Sequence, residues 1–355
     1  LARISNTVYD IAFSSDILNL VRNSFLEQSY VEKVIKKLKR LGSLFQYEIL
    51  AEIKVKGKTV PIYGLQIGPQ DKNLPVLGLF GGVHGLEKIG THVIVNYLNS
   101  LSNKIAWNIA LTKNLENLRV VSIPIVNPGG MFLNRRSNPQ GVDLMRNAPV
   151  DAEKGTLFWP SGQTVSSKIP WYRGNPQDME VENKVLESFV SSHMFNAPFS
   201  MALDIHSGFG LSDRLWYPYG KTLNPMPDEA LARKLARYFK VSHPFHKYIF
   251  EKQSDSYMIH GDMWDHLYDK FKAKNTETKF IPWTLEIGSW SWLLSRPHRI
   301  FNIARLFHTD DSAKYSRVMR THWGLLEFFK DMTVHHKAWV KEQITKEDLN
   351  RLISS

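Results

Sequence analysis

The first residues in this chain able to do chemistry are His84 and Glu87, three apart in VHGLE. Imidazole nitrogen and carboxylate oxygen both suit zinc, and a catalytic zinc typically takes three protein ligands and keeps one position open for water. With no cysteine in the sequence, thiolate ligands, disulfides and a cysteine nucleophile are excluded, so a metal site here must be built from His, Asp and Glu. Two ligands are not a site. A chain with 13 histidines is expected to contain about one His-x-x-Glu by chance, and the bland alternative is a solvated His with a surface Glu at a helix start. The third ligand must come from elsewhere.

Val76 to Phe80 reads as a buried strand that Gly81 and Gly82 break, with a helix from Ile89 to Leu101 beyond, so His84 and Glu87 fall between the two. Arg119 to Val126 is a second apolar strand ending at Asn127-Pro128-Gly129-Gly130, and Pro124 within it implies a bulge or a sheet margin. Residues 131 to 173 are irregular and rich in Gly, Pro, Asn and Arg, the composition of a functional loop. A helix from Met179 to Phe195 leads into strand Phe199 to Ile205, which delivers His206. A helix near Asp228 to Lys240 and a loop region precede strand Ile281 to Ile287, which carries Glu286. Upstream, Val31 to Leu41 follows helical spacing, and Tyr47 to Val55 with Val60 to Ile67 predicts an antiparallel hairpin at a sheet edge. Tyr315 to Phe329 predicts an amphipathic C-terminal helix.

Strands alternating with helices predict an α/β fold with a largely parallel sheet covered on both faces. Ligands bind at the carboxyl ends of such strands, so His84, Glu87, His206 and Glu286 are expected to converge there, beside the segment with Arg135, Arg136, Asp143 and Arg146.

The 355 residues show no repeats or linker-like shifts, which favours one domain over 1–355: an N-terminal helix and hairpin (26–67), a core (68–310), and a C-terminal helix (311–331) with a tail. Hydrophobic residues at 43% and charged residues at 22% match an ordinary soluble protein. No apolar run reaches the length of a membrane span, and Asp10, Asp16 and Arg22 interrupt any leader-like core, so a cytoplasmic location is expected; a chain that begins at Leu1 leaves room for an upstream segment. The formal charge of +11 fits nucleic acid, an anionic membrane or an acidic small substrate. Its one dense run, Lys33 to Arg40, lies on the Val31 to Leu41 helix and reads as that helix's wet face, so neither a nucleic-acid nor a membrane partner is expected.

Taken in order, HGLE, NPGG, RRSNPQGVDLMRN, DIHSG and TLEIG resemble the zinc metallocarboxypeptidases, over roughly Val60 to Phe301. Within that family the pattern looks most like the short-loop bacterial branch that includes murein tripeptide amidases. The resemblance implies a single α/β domain with a mixed eight-stranded sheet and one zinc ion held by His84, Glu87 and His206. It implies Glu286 as the general base that takes a proton from activated water and passes it to the leaving amine. It further implies Arg136 as stabiliser of the oxyanion, Asp143 as the carboxylate that orients a ligand imidazole, and Arg146 as the clamp on a substrate carboxylate. Arg135 is the neighbouring candidate to Arg136. Tyr257 falls at the place of a mobile capping tyrosine, and Trp264 at the base of the specificity pocket, a place Asp262 could also take.

Alternatives stand beside these roles. Asp143 could be a turn carboxylate bonding its own backbone and Tyr257 a packed aromatic; His260 and His266 could suggest a second metal site, but no matching carboxylate pattern accompanies them and they read as solvated loop histidines. Met145 stands where the family has an asparagine that helps hold the terminal carboxylate; methionine cannot donate that bond, which points to an altered terminal group or an amide-type substrate. The expected function is zinc-dependent hydrolysis of an amide bond in a small peptide or amino-acid conjugate. The rivals are an N-acyl amino-acid deacylase with the same chemistry and a non-catalytic zinc- or peptide-binding module.

Overall fold

The computed structural model describes residues 25–105, 107–153, 158–274, 277–288 and 311–341. The expectations for residues 1–24, for the end of the resemblance beyond 288 and for the tail after 341 lie outside these.

The sheet has eight strands: β1 Phe45–Val55, β2 Lys58–Ile67, β3 Val76–Gly81, β4 Arg119–Ile123, β5 Phe199–Ser207, β6 Arg214–Tyr217, β7 Ile249–Lys252 and β8 Lys279–Ile287. Their spatial order is β1-β2-β4-β3-β5-β8-β6-β7. The central block β4-β3-β5-β8 is parallel, and β2 and β6 join it antiparallel on either side. This is a mixed α/β sheet of eight strands, with the predicted hairpin β1–β2 at one edge. Every residue of β3, β4 and β5 is buried, as continuous apolar strands covered on both faces require. Strand β4 stops at Ile123, one residue short of Pro124, whose missing N–H cannot join a ladder.

Helices α1 Leu26–Leu38, α2 Lys88–Ile105, α3 Val181–Met194, α4 Glu229–Ser242, α5 Met263–Lys274 and α6 Ser312–Val334 supply the cover. Helices α2 and α6 lie against β3 and β5, whereas α3 lies against β3 and β1 and meets α5, which packs on β8. Asp311 caps α6 by accepting from the N–H groups of Ala313 and Lys314. The region between α4 and β8, expected to be loop, contains β7 and α5. In α5, Met263, Leu267 and Phe271 recur every four residues and are all fully buried, which is the spacing of a docked helical face.

The chain enters the parallel block at β3, moves one way to β4 and then returns to the other side of β3 with β5. That reversal is a switch point, where the loops leaving two neighbouring strand ends diverge and open a crevice. The loop after β3 and the end of β5 border it. Helix α2 starts there in very close contact with β5: a Cβ at Gly90 would lie 2.1 Å from the carbonyl oxygen of Ile205, so only glycine fits.

Candidate metal centre and active site

His84 and Glu87 lie in the turn between β3 and α2, and His206 lies on β5, in register with Glu286 on β8. All three candidate ligands are buried, and one donor atom from each falls within 4.8 Å of the others. The Nδ1 atoms of His84 and His206 face each other at 3.3 Å. Glu87 reaches His84 Nδ1 with Oε1 at 2.8 Å and His206 Nδ1 with Oε2 at 3.0 Å.

The outer ring nitrogens are tied off by carboxylates. His84 Nε2 meets Asp143 Oδ1 at 3.0 Å, and His206 Nε2 meets Asp204 Oδ2 at 2.8 Å. A carboxylate on Nε2 fixes the tautomer that leaves the Nδ1 lone pair for a cation, and it makes the imidazole a stronger donor. Two Nδ1 atoms and a carboxylate therefore point at one spot with their far sides anchored. This donor set, nitrogen and oxygen with no sulfur, fits zinc.

Without a metal, the cluster is held together by proton sharing. Burial raises Glu87, but the adjacent His84 and His206 outweigh it and hold the carboxylate ionised below its usual range. Burial lowers His206, yet Asp204 and Glu87 together reverse this and hold it protonated well above the usual histidine range. His206 would therefore have to give up a proton before its Nδ1 could ligate a cation.

Arg136 donates through Nε to Asp143 Oδ2 at 2.9 Å and through Nη1 to Glu87 Oε1 at 3.3 Å. Asp143 accepts from Met145 N at 3.1 Å as well, so it closes its own turn and also holds His84 and Arg136. Burial raises its carboxyl, and Arg136, His84 and Arg146 bring it well below the carboxylate range. Burial pushes Glu286 up to about 8; His206 pulls it down, and Glu87 pushes it further up.

Arg146 is buried, with Nη1 on the Met145 carbonyl at 3.2 Å and Nε and Nη2 on the Pro160 carbonyl at 3.4 and 3.5 Å. Arg173 pins that loop by donating from Nε to the Arg146 carbonyl at 2.9 Å. Gly261, at φ +70°, lies so close that a Cβ would sit 1.8 Å from the same carbonyl oxygen. The Tyr257 ring stands beside Phe209 and Trp216, at 5.6 and 5.9 Å, and its hydroxyl meets the Arg146 guanidinium. His84, Arg136, Arg146, His206, Tyr257 and Glu286 line one pocket.

Three sequence candidates lie elsewhere. Arg135 is exposed, whereas its neighbour Arg136 bonds Asp143 and Glu87. Trp264 is not at the base of the pocket. It is buried against Phe80, with ring centroids 5.2 Å apart, and its indole N–H donates to Asp204 Oδ2 at 2.8 Å. Asp262, the other candidate for that base, is buried and accepts from Asp265 N at 2.8 Å, closing the first turn of α5. His266 bonds Glu187 at 2.8 Å, and His260 Nδ1 accepts from Ala152 N at 3.1 Å. The residue that sequence reading missed is Asp204, although D-x-H on a strand places both side chains on one face.

A doubly wound α/β sheet with a His, Glu and His cluster at its switch point defines a metal-dependent α/β protein. The chain belongs to the zinc carboxypeptidase family, whose model matches residues 44–289. It is 26% identical over 227 residues to mast cell carboxypeptidase A of Rattus norvegicus, covering 59% of this chain and 50% of that protein. To carboxypeptidase A1 of Rattus norvegicus it is 29% identical over 189 residues, covering 50% and 43%. The chain thus spans about half the length of these curated relatives. Among solved structures, bovine thrombin-activatable fibrinolysis inhibitor in complex with tick carboxypeptidase inhibitor superimposes with a TM-score of 0.63 at 16% identity, over 88% of this chain and 100% of that one. Carboxypeptidase A from Helicoverpa armigera gives 0.62 at 16% identity, over 87% and 72%.

Proposed function

We propose that this chain hydrolyses the amide bond next to a terminal, carboxylate-bearing residue in a small peptide or amino-acid conjugate. The observation that carries the reading is the pairing of a metal cluster with a buried arginine, Arg146, whose hydrogen-bond partners among the described residues are the neutral carbonyls of Met145 and Pro160 and the Tyr257 hydroxyl. A buried cation with no carboxylate in hydrogen-bond reach is poised to receive one from a ligand.

His84, Glu87 and His206 would hold the zinc ion, which supplies a Lewis acid that polarises a carbonyl and makes water nucleophilic near neutral pH. Glu286 accepts the water proton and returns it to the leaving nitrogen. Its carboxyl, raised by burial, is tuned toward proton exchange near neutrality. Arg136 is held by Asp143 and Glu87 through Nε and Nη1, which orients Nη2 as donor to the oxygen that gains charge. Arg146 and Tyr257 hold the terminal carboxylate.

The test is hydrolysis of blocked dipeptides with free C-termini, alongside N-acylated amino acids, by zinc-loaded protein. Glu286→Gln should keep its metal and lose about 10² to 10⁴ in rate. Unchanged turnover in that variant would remove Glu286 from the mechanism, and turnover of N-acylated amino acids alone would replace the peptidase reading with a deacylase.

A further inference from the structure

Beyond the metal end, the same pocket has a floor that the register of β6 and β8 sets. Thr284 lies two residues before Glu286 on β8, so the two face the same side of the sheet, and Trp216 of β6 pairs with Thr284. Gln253, directly after β7, and Ile259 line the same pocket. Trp216 donates its indole N–H to Glu251 Oε1 at 2.9 Å, so it offers the pocket a ring face only. Thr284 and Gln253 differ from it. Both are buried, 6% and 7% exposed, and among the described residues neither the Thr284 hydroxyl nor the Gln253 carboxamide has a hydrogen-bond partner. Among the described residues, the ionisable groups lining the pocket are His84, Arg136, Arg146, His206, Tyr257 and Glu286, none of them on this floor.

Buried donors and acceptors are normally satisfied, and covering them with hydrocarbon leaves them unpaired at the full cost of desolvation. An aliphatic side chain would do that to both groups. A charged side chain would enter a floor with no counter-charge. A short neutral side chain that both donates and accepts would satisfy both, and a carboxamide pairs with another carboxamide donor to acceptor.

We propose that this floor receives the side chain of the terminal residue and selects a neutral hydrogen-bonding one, asparagine above all, with Gln253 as the specificity-determining residue. This rests on the amide-hydrolase reading. A site built to hydrogen-bond its substrate rejects the analogue that lacks the polar group far more strongly than a hydrocarbon pocket rejects a shape change.

Asparagine and leucine have nearly the same shape, so N-benzoylglycyl-asparagine and N-benzoylglycyl-leucine isolate the polar contribution. The zinc-loaded full chain should favour asparagine by at least about tenfold in kcat/KM, and Gln253→Leu should abolish or reverse that ratio with zinc content unchanged. Thr284→Val gives the same reading with less change of shape, should Gln253→Leu not fold. Equal or better cleavage of the leucine substrate by the unmodified chain overturns the proposal. If neither substrate is cleaved, calorimetric binding of free L-asparagine against L-leucine decides. A Gln253-dependent preference for asparagine would sustain the pocket while the hydrolytic reading falls, and equal binding would overturn both.

Discussion

Each candidate ligand histidine uses both ring nitrogens, one toward the cluster and one on a carboxylate. The aim of the Nδ1 lone pairs therefore depends on Asp143 and Asp204. Replacing either by asparagine keeps the shape but removes the charge that favours the donating tautomer, and zinc affinity should fall by about 10- to 100-fold. Competition with a chromophoric chelator measures it; affinities within twofold of the parent would show that these carboxylates do not hold the imidazoles. The meeting of His84, Glu87, His206 and Glu286 at one sheet edge is legible because each lies in or just after an apolar, strand-like run. Asp204 was overlooked because a buried aspartate inside a strand looks like a defect until its partner is known. Trp264 was misplaced because counting forward from Tyr257 assumes a loop of fixed length, and α5 begins within that loop.

At the scale of elements, the long buried strands and helices were legible from periodicity, while β6 and β7, at four residues each, are too short to show a period. Trp216 on β6 and Gln253 directly after β7 line the pocket, so part of its lining comes from elements that carry no periodic signal. Helix α5 delivers Trp264 to Asp204, which makes the helix a brace for His206 and not a wall of the pocket. Trp264→Phe should accordingly weaken zinc binding less than Asp204→Asn and leave the choice of terminal residue unchanged. A changed substrate preference in that variant, measured on the same dipeptide pair, would return Trp264 to the pocket. The contact between α2 and β5 predicts a second outcome. A methyl at position 90 must push the start of α2 away from the Ile205 carbonyl, and Gly90→Ala should destabilise the chain by about 1–3 kcal/mol. It should also weaken zinc binding, because the turn holding His84 and Glu87 leads directly into that helix. Urea unfolding checks the first effect, and an unshifted midpoint would show that the helix has room to move.

At the scale of the whole molecule, metal and pH are linked through groups shifted in opposite directions. Glu87 and Asp143 are depressed, so the stability they contribute is present above the ordinary carboxylate range and is lost as pH falls through their folded values. His206 is raised and Glu286 is raised to about 8. Their contribution is present below their unfolded values and is lost as pH rises, for Glu286 through roughly pH 5 to 8. The metal-free protein should therefore be most stable in mildly acidic solution and soften toward pH 8. Zinc acts in the opposite sense, because His206 must lose its proton to become a ligand and binding tightens as pH rises. At zinc concentrations about 100 times Kd the gain is about 2.7 kcal/mol, roughly 4 °C in Tm. The gap in Tm between loaded and stripped protein should widen from pH 5.5 to pH 8, and zinc binding should release protons, read from the dependence of its heat on the ionisation enthalpy of the buffer. A gap that stays constant over that range would mean that the cluster holds no proton for the metal to displace.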